Sequence, residues 1–347
     1  MRKEILHFVF GLLLITSCSG SNDGHIITEN PDTTSQGEII VDSLEYYKKK
    51  LNADPNNPVV IFERAQYYTR HGNLDLAKID LENLLDQDSL NLKAHNLYAK
   101  IHLATLDLKT SKEHYEFVLG KDSANSESYL GLARIYAALD NYAKADAFIS
   151  ASLKINPYSP EPYFTRGLIY RSDYYMTGRE SSWDIAVSSF QTAVEQDADY
   201  YPAYVEMGVM YAEMGDSMAL EYYNSALDIF PESLEAWYNK GMFYQNRGEI
   251  DNALNCYYTL NDIDSTWADP YYNIGYIHLL MTEELDSAVF YFEKSTQLDP
   301  SFYQAFNNLG LAYEKKGDIS KAKKYYQKAI EINPDFKLAK DNLNALM

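Results

Sequence analysis

Residues 303–336 read YQAFNNLGLAYEKKGDISKAKKYYQKAIEINPDF, and the residue pattern in this segment indicates the fold class of the chain. Small and aromatic residues recur in it at the helical spacing i, i+3/i+4, i+7 in two blocks, which are Phe306, Gly310, Tyr313 and then Ala322, Tyr326, Ala329. Gly317 and Asp318 lie between the blocks, where a glycine ends one helix and an aspartate oxygen caps the next. Pro334 closes the second block, because proline cannot continue the helical ladder. The stretch therefore predicts two amphipathic helices joined by a tight turn.

Similar blocks return along the chain with a period of about 34 residues. The pattern resembles the tetratricopeptide repeat, most closely in residues 303–336 and least in the two copies nearest the N-terminus. The predicted repeats are 58–91, 92–125, 126–159, 160–200, 201–233, 234–267, 268–302 and 303–336.

The resemblance implies an all-α fold, because each repeat is a helix-turn-helix unit that must stack on its neighbours to bury its apolar face. The expected architecture is a right-handed α-solenoid of about eight tetratricopeptide repeats over residues 58–336, with a C-terminal capping helix. Residues 42–57 are predicted to form an N-terminal capping helix and residues 337–347 the C-terminal one.

The N-terminus predicts export and lipid attachment. Residues 1–3 are short and basic, and the apolar run over residues 5–15 is shorter than the ~20 residues that a bilayer-spanning helix needs. The tetrad Ile15-Thr16-Ser17-Cys18 resembles a bacterial lipobox, which implies that residues 1–17 are a lipoprotein signal peptide and that Cys18 carries acyl chains such as palmitate. The alternative is an ordinary signal peptide followed by a coincidental cysteine.

Among related lipoproteins an aspartate after the cysteine favours the inner membrane, and Ser19 occupies that place here. The expected location is therefore the cell envelope, lipid-anchored at the outer membrane and facing the periplasm. Residues 18–41 hold the lipidated cysteine and a stretch rich in Ser, Gly, Asn, Asp and Thr, which we interpret as a flexible tether.

Composition excludes several classes of partner. The formal net charge is −20, so the surface repels phosphate backbones, and we expect no nucleic acid partner and membrane contact only through the lipid anchor. With Cys18 acylated, Cys256 has no intramolecular disulfide partner. Helix packing alone must therefore hold the fold.

Catalytic motifs are absent from the sequence: it contains no GxSxG elbow, no glycine-rich phosphate loop, no HExxH and no paired CxxC. His95, His102 and His114 lie on two neighbouring predicted helices, but the first two occupy packing positions of their repeat. We therefore expect no metal, no cofactor and no enzymatic activity.

The resemblance also implies where a partner binds, because the concave groove of such solenoids is lined by set positions of each first helix. At those positions this chain carries Phe164, Leu168, Val205, Val209, Tyr238, Met242, Tyr272, Tyr276, Leu279 and Leu311. Asn239, Asn273 and Asn308 recur at one further position, with Asn307 adjacent, and in related grooves such amides bind the backbone of an extended peptide. The alternative is that the inner residues pack on neighbouring first helices and that the asparagines are common repeat residues.

Seven extra residues in the repeat 160–200 are the most individual feature of the chain. They place Tyr174, Tyr175 and Trp183 near what the pattern predicts to be a lengthened turn between the two helices. Such aromatic residues favour interface centres, so this insertion is a possible second contact. The alternative is that the aromatic side chains pack on their own helices.

Together these features predict a non-enzymatic scaffold or adaptor of the bacterial cell envelope that binds an extended segment of another envelope protein. The alternative is a targeting or regulatory subunit for a peptidoglycan- or glycan-modifying enzyme.

Overall fold

The computed structural model describes residues 43–346, in which all regular secondary structure is helical and no strand occurs. The predicted all-α solenoid class, with stacked helix-turn-helix repeats and a C-terminal capping helix, is confirmed. The predicted signal peptide, Cys18 and the tether lie outside the described residues. Among residues 43–346, no helix is both long enough and apolar enough to cross a membrane.

The chain divides into two compact units, at Ala203 and Tyr204. In the first unit each predicted repeat contains two helices. The helices are α1 (Ser43–Ala53), α2 (Pro58–Arg70), α3 (Leu74–Gln87), α4 (Leu92–Ala104), α5 (Leu108–Lys121), α6 (Ser126–Ala138), α7 (Tyr142–Ile155), α8 (Pro160–Thr177) and α9 (Glu180–Gln196).

The second unit has the same alternation of first and second helices, and its first helix begins three residues before the boundary. The helices are α10 (Tyr201–Glu213), α11 (Met218–Ile229), α12 (Leu234–Asn246), α13 (Ile250–Ile263), α14 (Ala268–Leu280), α15 (Leu285–Leu298), α16 (Tyr303–Lys315), α17 (Ile319–Ile332) and α18 (Lys337–Ala345).

Asparagine side chains begin the first helices of the N-terminal repeats. The Oδ1 atoms of Asn57, Asn91 and Asn125 accept hydrogen bonds from backbone amides three residues later, at 3.2, 3.1 and 2.9 Å. Each bond satisfies an amide that the helix itself leaves without a partner. At the clearest repeat, Asp318 Oδ1 accepts from Lys321 N at 3.0 Å, so the capping role expected for Asp318 is confirmed.

The turn between the two helices of a repeat uses the left-handed backbone region whether or not it contains glycine. Gly317 has φ of +83°, and the corresponding residues Leu106, Asp140 and Glu283 have φ of +60°, +56° and +58°. Since that region costs roughly 1–2 kcal/mol for a residue with a Cβ, the stacked helices must impose it at these three turns.

Glycines in the first helices of the second unit lie against aromatic rings of the second helices. A Cβ built on Gly275 would be 2.9 Å from Cδ1 of Phe292, and one on Gly310 would be 2.7 Å from Cδ1 of Tyr326. Both rings are completely buried. At these two glycines the close approach of the helices therefore leaves no room for a side chain on the first helix.

The seven-residue insertion lengthens both helices of its repeat, which corrects the predicted long turn. α8 has 18 residues and α9 has 17, and only Gly178 and Arg179 separate them. Gly178 ends α8 with φ of +70°. The extra residues continue the helices because nothing before Gly178 stops the first one.

Both ends of the described chain are covered by a capping helix. Tyr47 and Leu51 of α1 are buried against Val60 and Ile61 of α2. At the other end Ala339 of α18 is buried, and Leu343 and Leu346 pack on the cluster that contains Tyr326. Leu338 of the same helix is 53% exposed.

Candidate functional site

Two consecutive first helices of the second unit present the same order of side chains. Tyr238, Asn239 and Met242 lie on α12, and Tyr272, Asn273 and Tyr276 lie at the corresponding places on α14. The spacing i, i+1, i+4 puts each trio on one side of its helix. Asn308 and Leu311 of α16 continue the series, and we call these eight residues the tyrosine–asparagine surface.

Hydrogen bonds between consecutive repeats cross the tyrosine–asparagine surface. Asn308 Nδ2 donates to Tyr272 Oη at 3.0 Å. One repeat earlier Asn273 Nδ2 donates to Met242 Sδ at 3.8 Å, and the Asn273 side chain also interacts with the Tyr238 hydroxyl group. In both cases the asparagine belongs to the later repeat and the tyrosine to the earlier one. We call these contacts the inter-repeat Tyr–Asn bonds.

The same geometry continues into the C-terminal capping helix with an asparagine in place of the tyrosine. Asn342 Nδ2 donates to Asn307 Oδ1 at 3.0 Å, and Asn307 Nδ2 donates to Asn308 Oδ1 at 3.1 Å. Several amides that the sequence assigned to a ligand are therefore already bonded within the chain. Their first role is to hold successive first helices in register.

Asn239 differs from the other asparagines of the surface. It is half-buried, and its side chain forms no hydrogen bond with any residue in the described range 43–346. The residue at the tyrosine position of the preceding repeat is Val205, which has no hydroxyl group to offer. The Asn239 amide is thus available to an external donor or acceptor.

Tyrosine rings of this surface are held by aromatic contacts beneath them. The centroid of Tyr272 lies 4.8 Å from that of Phe302 and 5.7 Å from that of Phe292, and Tyr238 lies 5.1 Å from Trp267. Burial raises the pKa of both the Tyr238 and the Tyr272 hydroxyl groups, so both remain neutral donors and acceptors at physiological pH. The ring edge and the hydroxyl group of each tyrosine are therefore held in place by the aromatic rings that pack beneath them.

Six of the residues predicted to line a groove are buried. Their side chains pack between helices and offer almost no surface to a partner. They are Phe164, Leu168, Val205, Asn273, Leu279 and Asn307. The sequence pattern does not separate an inner-facing position from one that the next first helix covers, because both lie on adjacent faces of the same helix. Val209 and Leu311 are half-buried.

Aromatic residues of the insertion lie on helices and not in a loop. Tyr174 and Tyr175 are on α8 with ring centroids 5.7 Å apart, and Trp183 is on α9. Asp173, which is 1% exposed, accepts hydrogen bonds from Arg179 Nη1 at 2.9 Å and from Ser182 Oγ. This buried carboxylate joins α8 to α9 across their short turn.

The histidines of the repeat 92–125 form a hydrogen-bonded pair. Nδ1 of His95 lies 2.8 Å from Nδ1 of His114, and Nε2 of His95 lies 3.1 Å from the Ser89 carbonyl oxygen. Because that carbonyl can only accept, Nε2 of His95 donates this hydrogen bond. Within residues 43–346 no three His, Cys, Asp or Glu side chains are grouped to hold a metal ion.

Comparison with known proteins identifies the repeat. Family comparison detects a tetratricopeptide repeat at residues 303–336 and three more at 126–159, 234–266 and 268–302. The chain contains tetratricopeptide repeats. The predicted repeat type is confirmed at these four places.

Two known proteins align with part of this chain. Protein NPGR2 of Arabidopsis thaliana is 25% identical over 203 residues, which cover 50% of this chain and 26% of that protein. SPINDLY of Hordeum vulgare, a probable UDP-N-acetylglucosamine–peptide N-acetylglucosaminyltransferase, is 24% identical over 168 residues, covering 46% of this chain and 17% of that protein. The chain therefore aligns with about a quarter or less of these relatives.

The crystal structure of the APC/C hetero-tetramer Cut9-Hcn1 superimposes with a TM-score of 0.50 and 16% identity, over 88% of this chain and 59% of that chain. This likeness shows the fold alone. Tetratricopeptide proteins generally mediate protein–protein interactions, and the fold implies a protein partner. The scaffold is typically non-catalytic, although SPINDLY is named as a transferase.

Sequence reasoning identified the tyrosines and asparagines but missed that they bond to each other. The signal was present in the register, since a tyrosine at the fifth position of a tetratricopeptide repeat is followed by an asparagine at the sixth position of the next one. Only the distance between the first helices shows that the two side chains meet.

Proposed function

We propose that this chain is a non-enzymatic scaffold or adaptor of the bacterial cell envelope, and that it binds an extended segment of a protein partner on the tyrosine–asparagine surface. The observation that carries the proposal is the half-buried series Tyr238, Met242, Tyr272 and Tyr276 on two consecutive first helices. Tyrosine and methionine are enriched at the centres of protein interfaces.

Hydrogen-bonding groups on the same surface suit a peptide backbone. The Asn239 amide offers one donor and one acceptor group, and the tyrosine hydroxyl groups lie on the neighbouring helix. An extended segment presents amides and carbonyls at regular intervals, so a row of such side chains can bind it with little dependence on its sequence.

A binding test compares two faces of the same unit. The double substitution Met242→Ser with Tyr276→Ser removes apolar contact area from the proposed surface. The control is Phe290→Ser on α15, a second-helix residue that is 62% exposed. Photo-crosslinking from position 276 in the cells that make the protein identifies a partner, and titration of the purified partner gives the affinities.

We expect the double variant to weaken binding by at least about 10-fold, since each buried apolar side chain contributes ~1.5–3 kcal/mol. The Phe290 variant should bind like the wild type. The proposal is wrong if the partner crosslinks from the Phe290 face and the double variant binds it unchanged.

The envelope location rests on the lipobox resemblance at residues 15–18 and on the hydrophobic run before it. Metabolic labelling with a radioactive fatty acid tests it directly. Wild type should incorporate the label and the Cys18→Ala variant should not. Absence of label from the wild type would remove the lipid anchor, and with it the membrane part of the proposal.

A further inference from the structure

An acidic residue precedes each tyrosine trio by three positions. On α12 the order is Glu235, Tyr238, Asn239 and Met242, and on α14 it is Asp269, Tyr272, Asn273 and Tyr276. The spacing i, i+3, i+4, i+7 places all four side chains of each set on one side of the helix. An acid in the first turn of a helix is common. Its repetition in register with the same tyrosine and asparagine on the next first helix is not explained by helix capping.

Asp269 follows Trp267, whose ring lies 5.1 Å from that of Tyr238, by two residues, and it precedes Tyr272 by about one helical turn. Its charge contributes to raising the pKa of Tyr238 on the preceding first helix and of Tyr272 on its own helix. The carboxylate is half-buried, and it forms no ion pair with any Lys, Arg or His in the part of the chain that the structure describes. A negative charge beside two aromatic rings is thus left without a cation.

Neighbouring residues offer Asp269 no basic group. Residues 204–302 carry seventeen acidic side chains and three basic ones. Each basic side chain is engaged elsewhere: Lys240 Nζ donates to Asn224 at 2.7 Å, Arg247 pairs with Glu249 at 2.9 Å, and Lys294 lies over the Tyr271 ring. Residues 204–302 therefore carry a net charge of −14, which makes the potential around them negative.

The chain's own N-terminal stretch does not match that potential. Residues 19–41 contain no Lys or Arg and include Asp23, Glu29, Asp32 and Glu38. A segment of this composition is repelled by the acidic surface. The occupant that the charges favour is consequently another molecule.

We propose that the occupant is an extended basic segment of the partner protein, with a Lys or Arg side chain seated at Asp269 near Tyr238 and Tyr272. This inference rests on the proposed function and adds the chemistry of the ligand. A carboxylate and aromatic rings together recognise a cationic side chain by a charge-assisted hydrogen bond and by cation–π attraction.

Selection from a randomised 12-residue peptide library against the full chain tests the inference without a known partner. Wild type should enrich peptides that contain Lys or Arg. The isosteric variant Asp269→Asn should lose the enrichment, and a selected peptide should bind it about 10- to 100-fold more weakly, the effect of one charge-assisted bond. Asp228→Asn, an exposed charge change on α11, is the matched control and should bind like the wild type.

The outcomes separate the two proposals. Selected peptides without basic residues, or basic peptides that bind Asp269→Asn as tightly as wild type, overturn the inference and leave the proposed function intact. Failure to select any peptide contradicts both, because no extended segment then binds. The chain could also bind a second copy of itself through Lys321 and Lys324 of α17. If the chain self-associates and Lys321→Ala with Lys324→Ala abolishes this, the occupant is that second copy and the inference is overturned.

Discussion

Asn308 Nδ2 lies 3.0 Å from Tyr272 Oη, and this hydrogen bond joins two first helices that are 36 residues apart in sequence. The pairing of Asn273 with Tyr238 repeats it one unit earlier. Residues expected to serve a ligand thus also hold the repeats together. Binding and stability are coupled at this surface. For a mutation there, both the affinity for the partner and the free energy of unfolding must be measured.

Removing one inter-repeat Tyr–Asn bond should lower stability modestly. Tyr272→Phe keeps the ring and deletes the hydroxyl group, so Asn308 loses its acceptor at a cost of about 0.5–1.5 kcal/mol in the free energy of unfolding. Urea unfolding followed by circular dichroism measures the change. Tyr276→Phe, at a tyrosine with no hydrogen bond to another described residue, is the control and should change stability little. Equal effects of the two substitutions would mean that the bond contributes nothing.

Filling the close approach at Gly275 should be costly. A Cβ there would lie 2.9 Å from the buried Phe292 ring, so Gly275→Leu should destabilise the repeat by ~1–3 kcal/mol or more. Gly120→Leu on α5, where nothing lies within 4 Å of the added Cβ, should be neutral or stabilising.

Because repeats couple mainly to their neighbours, hydrogen exchange in the Gly275→Leu variant should accelerate most around α14 and α15 and fade with distance along the array. A uniform loss of protection over the whole chain would contradict this expectation.

The buried carboxylate of the insertion should be required for the lengthened helix pair. Asp173→Ala leaves Ser182 Oγ without its acceptor and removes the partner of Arg179, which should cost about 1–3 kcal/mol. Asp184→Ala, an exposed residue on α9, is the matched control. Thermal unfolding of both variants measures the difference. A Tm for Asp173→Ala equal to that of the control would show that the contact is dispensable.

The free energy of unfolding should fall as the pH is lowered, because of His114 in the histidine pair. Burial, with the nearby His95 and His102, lowers the pKa of His114 to about 4 from its ordinary value of 6.5. The unfolded chain therefore takes up a proton at higher pH than the folded chain does. Neutral His114 contributes its stability above pH 6.5 and loses it as the pH falls from 6.5 to about 4.

The His114→Gln variant should show a shallower decline of unfolding free energy over that window, because it has no proton to take up at this position. Urea midpoints at a series of pH values give both curves. Parallel curves for the two proteins would show that His114 does not titrate in the expected way.

The helices, the turns and the stacking of the repeats could be predicted from the sequence alone. These follow from local rules: an apolar face recurs at helical spacing, a left-handed residue ends the first helix, and a unit with an apolar face must stack. Even the turns at Leu106, Asp140 and Glu283, which lack glycine, are predictable from the repeat register, because the flanking helices impose the backbone. The prediction for the insertion was wrong because the extra residues were assigned to a turn. Gly178 ends the first helix, and both helices extend as far as the short turn at that residue.

The packing of neighbouring helices sets which side chains of the predicted surface remain available. Phe164 and Leu168 share their helix positions with Tyr238 and Met242, yet the first pair is buried and the second is half-exposed. Exposure depends on the size and approach of the neighbouring helices, which no spacing within one repeat encodes. The inter-repeat Tyr–Asn bonds and the unpaired Asp269 have the same origin, because they require atoms from two repeats to meet at hydrogen-bonding or electrostatic distance.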